Sequence, residues 1–175
     1  GFFQGGFILD HGKRRPDEIS SVEYIPFRTD WRALIVIPPS SSGWHGDREE
    51  SAFVAIGAQR NVRMESLLYD AIVPATTRGD FAAFAEALHE YNAAAGNFYS
   101  AALGVRQHSI AAANQIEWLI RHGAKGTGQS SWGPTAFGFF DDADEATAVA
   151  KSAAAAWPTF DVVDTGARNQ MAVIE

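Results

Sequence analysis

The chain has no cysteine among its 175 residues. That excludes a disulfide framework and any thiolate metal site, and it fits a reducing compartment, the cytoplasm being the plain expectation. No run approaches the roughly 20 apolar residues that span a bilayer, and the N-terminus lacks the basic-then-apolar layout of a signal peptide, so no membrane partner is expected. The phosphate-loop pattern G-x-x-x-x-G-K-[ST] is absent, because Lys125 precedes the second glycine of its segment instead of following the last one. His89, His108 and His122 lack the i, i+4 pairing of a helical zinc site and are read as structural. Basic residues are outnumbered by acidic ones, 14 to 21, for a net charge of −7. Such a balance repels polyanions and argues against nucleic acid as a partner, while a small basic pocket could still hold a phosphorylated metabolite.

What is present is enough apolar sequence, 46% of the chain, to bury one core and offset the entropy of folding. A single domain over residues 1–175 is expected, with no linker and no repeat of fixed period. Gly5 to Asp10 reads as a short buried strand that Glu23 to Phe27 could pair with, and Trp31 to Ile37 reads as a central strand covered on both faces. Ser40 to Gly46 is a small-residue loop, and Asp47 to Glu50 places acidic side chains at a helix start. Helices are expected over Met64 to Ile72, Asp80 to about Ser100 and Ser109 to Arg121, the last stopped by Gly123. Two strands, Ala124 to Ser131 and Thr135 to Phe140, flank a turn at Trp132-Gly133-Pro134, followed by a helix from Ala143 to Ala156 and a strand from Phe160 to Asp164. This order implies an α+β fold, a ferredoxin-like, mostly antiparallel sheet with helices packed on one face.

The most informative stretch is GAKGTGQSSWGPT, Gly123 to Thr135. Its glycines allow positive φ and close approach of backbone N–H groups to a ligand, and its hydroxyls can bond phosphate or carboxylate oxygens. A tight hairpin that needs glycine for its geometry alone would look the same.

Within it, GQSSWGPT at Gly128 to Thr135 resembles the glycine-rich third motif of the GHMP superfamily, in the variant shown by the ribofuranosylaminobenzene-phosphate synthases. FFQGGFILDHG at Phe2 to Gly12 and ARNQMAVIE at Ala167 to Glu175 resemble two further segments of that family, in the same order along the chain. The stretch from Leu67 to Leu103, with its Gly-Asp helix start, is similar to the GHMP C-terminal domain. The resemblance implies condensation of 4-aminobenzoate with phosphoribosyl pyrophosphate, releasing CO2 and pyrophosphate, on the route to methanopterin-type carriers. It implies Mg2+ as companion of the pyrophosphate. Ligand contacts carried over from the resemblance are Gln129, Ser130, Ser131 and Thr135, then Gln4, Gly5 and Gly6. The residues themselves offer Gly126, Gly128 and Gly133 as points of close backbone approach to an anion and Trp132 as a stacking surface for the ring, while Arg168 and Asn169, after the last strand, either orient a carboxylate or phosphate or form a polar turn. No catalytic residue is assigned.

The family's main glycine-serine phosphate loop lies in an N-terminal domain, and nothing upstream of Gly128 resembles it. The expected partner is therefore that domain, with residues 1–30 completing the interface to it, and the 175 residues alone would be inactive. A homodimer stays open. Two other readings remain: an ATP-dependent small-molecule kinase of the same superfamily, and a ferredoxin-like binding or dimerisation module. Asp10 and His11 could serve as acid/base or metal ligand, or mark a solvated strand end, and His45 could belong to a closing loop or to an ordinary surface loop. Lys13, Arg14 and Arg15 are read as a solvated turn, and Trp31, Trp118 and Trp157 as core.

Overall fold

The computed structural model describes residues 5–12, 17–39, 61–103, 110–130 and 133–170. The expectations for Ser40 to Glu50, His45, His108, Lys13 to Arg15, Gln4, Ser131 and Trp132 lie outside the described residues. Strands β1 (Phe7–Asp10) and β2 (Val22–Ile25) pair antiparallel with Phe7 opposite Ile25. Four further strands make the main sheet: β3 (Arg32–Ile37), β4 (Lys125–Gln129), β5 (Ala136–Phe140) and β6 (Asp161–Gly166). Their order is β4-β5-β3-β6, with every neighbour antiparallel.

The helical stretch that begins near Met64 runs further than its apolar spacing predicts. It comprises α1 (Val62–Ser66), a π-helical segment (Leu67–Ile72) and α2 (Val73–Arg78). Pro74 explains the wide turn: it has no N–H to give the ladder, and its ring displaces the carbonyl one turn back, so the chain is held open there without stopping. Gly79, at φ 68°, ends α2 in the left-handed conformation. Asp80 then starts α3 (Phe81–Leu103), its carboxylate accepting from the Ala83 N–H at 3.2 Å. Helix α4 (Ile110–Arg121) ends at Gly123, at φ 91°. Helix α5 (Ala143–Ala156) spans the residues expected and is capped by Asp142, which accepts from the Glu145 N–H at 2.8 Å.

Period-two alternation divides the sheet into two apolar faces. Leu34 and Val36 of β3, with Ala136 and Phe140 of β5, are buried against Leu119 of α4 and Ala146 and Val149 of α5. Ala33 and Ile35 of β3 lie on the opposite face, across from Phe139 and Phe137 of β5. There the expectation of a strand covered on both faces fails. Ala33 and Ile35 are only half-buried and border an open cavity, and the run is continuously apolar because the wall of that cavity is apolar too. Helix α3 flanks β4 and closes one side of this face with Phe84, which joins a core of Phe27, Trp31, Ile72, Ala75 and Phe81. Trp31 stacks on Phe84 with ring centroids 5.1 Å apart, and Phe84 meets Phe139 edge-on at 5.3 Å.

Candidate functional site

The glycine-rich segment forms the β4–β5 hairpin. Ser130 N–H donates to the Thr135 carbonyl at 2.9 Å, and Gly133 N–H donates to the Ser130 carbonyl at 3.1 Å, which closes the turn. The two hydroxyl residues Ser130 and Thr135 therefore sit side by side at the end of the ladder. Ser130 is exposed and Thr135 half-buried.

Gly126 and Gly128 do a different job from the hydroxyls. A Cβ on Gly126, where φ is +56°, would stand 3.2 Å from Cα of Ala85 in α3. One on Gly128 would stand 2.5 Å from Cγ of Asn92. Both glycines let helix α3 lie against the strand, the close backbone approach for which glycine is used inside strands. The contact is polar as well as close. Asn92 Nδ2 donates to the Gln129 carbonyl at 2.9 Å, and Gln129 N–H donates to Asn92 Oδ1 at 3.1 Å. One turn earlier on the helix, His89 Nδ1 lies 3.0 Å from the Thr127 carbonyl and 3.1 Å from its hydroxyl. Side chains of α3 thus occupy backbone groups along β4 that a neighbouring strand would otherwise seek. Gln129 is buried at 4% exposure beneath this contact.

Below the hairpin lies a cavity of about 440 Å³. Its floor is the open sheet face, Ala33, Ile35, Phe137 and Phe139, and its walls are Phe84, Leu88, Trp31, Phe27 and Phe7. Ser130 and Thr135 stand at one end, and Gly6 with Thr165, Gly166 and Ala167 complete the lining. Three segments singled out in the sequence thereby meet around one space: the glycine-rich hairpin, the first glycines and the stretch after β6.

Within that stretch the two polar residues behave differently. Asn169 donates from Nδ2 to the Phe27 carbonyl at 2.7 Å and accepts from the Phe27 N–H at 2.9 Å, so its amide clamps the backbone behind a cavity wall. Arg168 accepts the Gly6 N–H on its carbonyl, and its residue is exposed. Gly5 and Gly6, at φ 72° and 65°, are held close to this strand end. A Cβ on Gly6 would stand 2.5 Å from the Tyr24 ring, and one on Gly5 would collide with the backbone of Arg168 and Gln170.

Asp10 and His11 stand apart from the cavity lining. Asp10 accepts from the Gly12 N–H, and His11 lies 3.0 Å from the Tyr69 hydroxyl and 3.5 Å from the Glu23 carboxylate, a solvated strand end tied to the π-helical segment. His122 stacks on Trp118 with ring centroids 3.6 Å apart. Among the described residues, no three His, Asp or Glu side chains gather as a metal site. The polar side chains among the lining residues are Ser130, Thr135 and Thr165, with no carboxylate, a set that does not fit as a magnesium cage. No described helix is long and apolar enough to cross a membrane.

Sequence reasoning missed Asn92 and the cavity walls Phe84 and Leu88 as parts of this site. An asparagine in mid-helix, where it competes with the backbone ladder, was the one available signal.

Comparison with known proteins gives the family. The family model described as "GHMP kinases C terminal" matches residues 72–159, just over half of the chain. Beta-ribofuranosylphenol 5'-phosphate synthase from Methanothermobacter thermautotrophicus is 27% identical, over 97% of this chain and 54% of that protein. Among solved structures, homoserine kinase from Cytophaga hutchinsonii superimposes with a TM-score of 0.60 at 14% identity, over 95% of this chain and 50% of that one. Mevalonate diphosphate decarboxylase from Enterococcus faecalis does so with a TM-score of 0.66 at 14% identity, over 95% and 52%. At such identity these structures speak for the fold alone, and the chain spans about half the length of the relatives it matches. The antiparallel sheet, its flanking helices and the family match agree: the chain belongs to the GHMP kinase family and carries its C-terminal domain.

Proposed function

We propose that this chain is the C-terminal part of a synthase that joins an aromatic carboxylate to phosphoribosyl pyrophosphate with loss of CO2 and pyrophosphate. The observation that carries the reading is the cavity, an apolar space walled by aromatic rings with two hydroxyl residues at one end. A benzoate ring suits walls of Phe84, Trp31 and Phe139 through offset and edge-on packing. Phosphate oxygens suit the Ser130 and Thr135 hydroxyls. The acceptor is 4-aminobenzoate or its 4-hydroxy counterpart. The name of the Methanothermobacter relative specifies a ribofuranosylphenol phosphate, which like the aminobenzene product places an aryl ring on a phosphorylated ribose.

In the proposed step the bond from ribose C1 to pyrophosphate breaks, and its electron pair leaves with pyrophosphate. The ring carbon that bears the carboxylate forms the new carbon–carbon bond to C1. The bond from that ring carbon to the carboxylate then breaks, its electrons restore the aromatic ring, and CO2 departs. Nothing else is consumed. The chain's part is to hold the ring flat beneath the sugar, keep water from the cationic sugar carbon and orient the leaving phosphate, positioning work of the kind that lowers such barriers. Mg2+ would enter only as the companion of the pyrophosphate, neutralising its charge, since the described cavity residues do not fit as its ligands. An N-terminal GHMP domain supplies the remaining phosphate contacts.

The test is to incubate the full-length protein with Mg2+, phosphoribosyl pyrophosphate and carboxyl-labelled 4-aminobenzoate or 4-hydroxybenzoate, trapping labelled CO2. Release that depends on both substrates is expected. Thermal protection by ATP, with no release from either acid, would turn the assignment to a small-molecule kinase.

A further inference from the structure

We propose that Asn92 is a positioning residue for the Ser130–Thr135 hairpin, setting from helix α3 where Ser130 stands at the end of the cavity. The inference rests on the ligand role proposed above for that hairpin and deepens it.

The geometry is specific. Asn92 makes a two-point contact with Gln129, taking its N–H and giving to its C=O, as a paired strand would. Gln129 is the last residue of β4 and the one directly before Ser130. Beyond it the Ser130 N–H is bonded across the hairpin to Thr135, so the turn is held from two directions. The helix side of this hold is short of slack, because Gly128 leaves no room for even a methyl group beside the Asn92 amide. Asn92 does not line the cavity, whereas Leu88, one turn earlier on α3, does. The same helix therefore supplies one wall of the cavity and fixes the register of the hydroxyls at its end. Shifting β4 relative to α3 by a fraction of an ångström would move wall and hydroxyl apart, and misplacement on that scale is costly where a reaction depends on alignment.

The experiment is a double-mutant cycle in the full-length protein: Asn92→Ala, Ser130→Ala and both together. KM for phosphoribosyl pyrophosphate and kcat are read from CO2 release, and donor binding is read separately by thermal protection with Mg2+ present. Ser130→Ala is expected to weaken donor binding about tenfold, the loss of one hydrogen bond to a charged group. Asn92→Ala is expected to weaken it on the order of tenfold too, although it touches no ligand. The double variant should fall within about twofold of the weaker single, because the second change removes a contact already lost. Asn92→Asp, which keeps the shape and the acceptor but loses the donor to Gln129, should move donor KM in the same direction, which keeps the test usable if the alanine variant folds poorly.

Effects that multiply to about a hundredfold would make Asn92 a structural residue only and overturn the inference. So would an Asn92→Asp variant that folds and binds donor like the parent. An unchanged donor affinity in Ser130→Ala would instead remove the hairpin's ligand role, and with it the reading on which the inference rests.

Discussion

Replacing Gly128 by alanine separates the two reasons a glycine can stand in β4, ligand approach or helix packing. In the structure the new methyl would lie 2.5 Å from Cγ, 2.7 Å from Oδ1 and 2.8 Å from Nδ2 of Asn92. Ordinary contact needs about an ångström more, so either α3 or the Asn92 side chain must move. Overpacking of this kind costs about 1–3 kcal/mol. Displacing the amide also gives up its two hydrogen bonds to Gln129, about 1 kcal/mol each. Against this, alanine loses less backbone freedom than glycine on folding, worth about 0.4–1 kcal/mol at a compatible backbone. The balance is a loss of about 2–4 kcal/mol, which in a chain of this size lowers Tm by roughly 5–12 °C. Urea unfolding of Gly128→Ala, Asn92→Ala and the double variant tests the source of the cost. Removing the Asn92 side chain makes room for the methyl, so the double variant should lie within about 1 kcal/mol of Asn92→Ala alone. Simple addition of the two single losses would refute the packing account, as would a Gly128→Ala protein as stable as the parent.

Asn169→Ala should cost about 1–3 kcal/mol by freeing the Phe27 backbone, seen as a lower urea midpoint, because both groups of the amide are engaged there. Ala33→Phe fills the sheet floor of the cavity, so under the proposed function KM for the aryl acid should rise on the order of tenfold while affinity for the proposed donor stays near the parent's. Equal effects on both substrates would place the ring elsewhere. Asp30, hydrogen-bonded to the Arg28 guanidinium, has its pKa lowered by that bond, partly opposed by desolvation. Its contribution is therefore present above the ordinary carboxylate range and lost as pH falls through the lowered value. Asp30→Asn should be slightly less stable than the parent at about pH 6 and indistinguishable from it near pH 2, by urea midpoints at both. A gap that persists in acid would refute the ion-pair origin.

Much of the fold was legible because its signals are local. The residues of α5 were readable from alanine propensity between Asp142 and Pro158, and the β4–β5 hairpin from the change of period after Gly123. Strand β6 was placed within two residues of its observed end. The continuation of the helix through Pro74 was not legible, since a proline inside an apolar pattern ordinarily marks a stop, and only packing of Ile72, Ala75 and Thr76 into the core carries the helix past it. The cavity was illegible for a related reason. Ala33 and Ile35 look like any buried strand residues, because apolar spacing records which side chains avoid water and not whether protein or an open space faces them.

The glycine-rich hairpin shows why composition points to a segment sooner than it assigns roles within it. Gly126 and Gly128 face a helix, and Ser130 and Thr135 border a cavity, yet all four lie within ten residues of one glycine-rich segment. The two functions depend on each other. Asn92 and His89 hold backbone groups of Gln129 and Thr127 on the outer edge of β4, which lowers the tendency of that edge to invite another strand. Gly126 and Gly128 let α3 lie against β4, and Ser130 follows directly after the strand so anchored. A change in the anchor should then read out in substrate affinity before it reads out in the chemistry, because the helix and the hairpin meet at Gln129, one residue short of the hydroxyl proposed to hold the leaving phosphate.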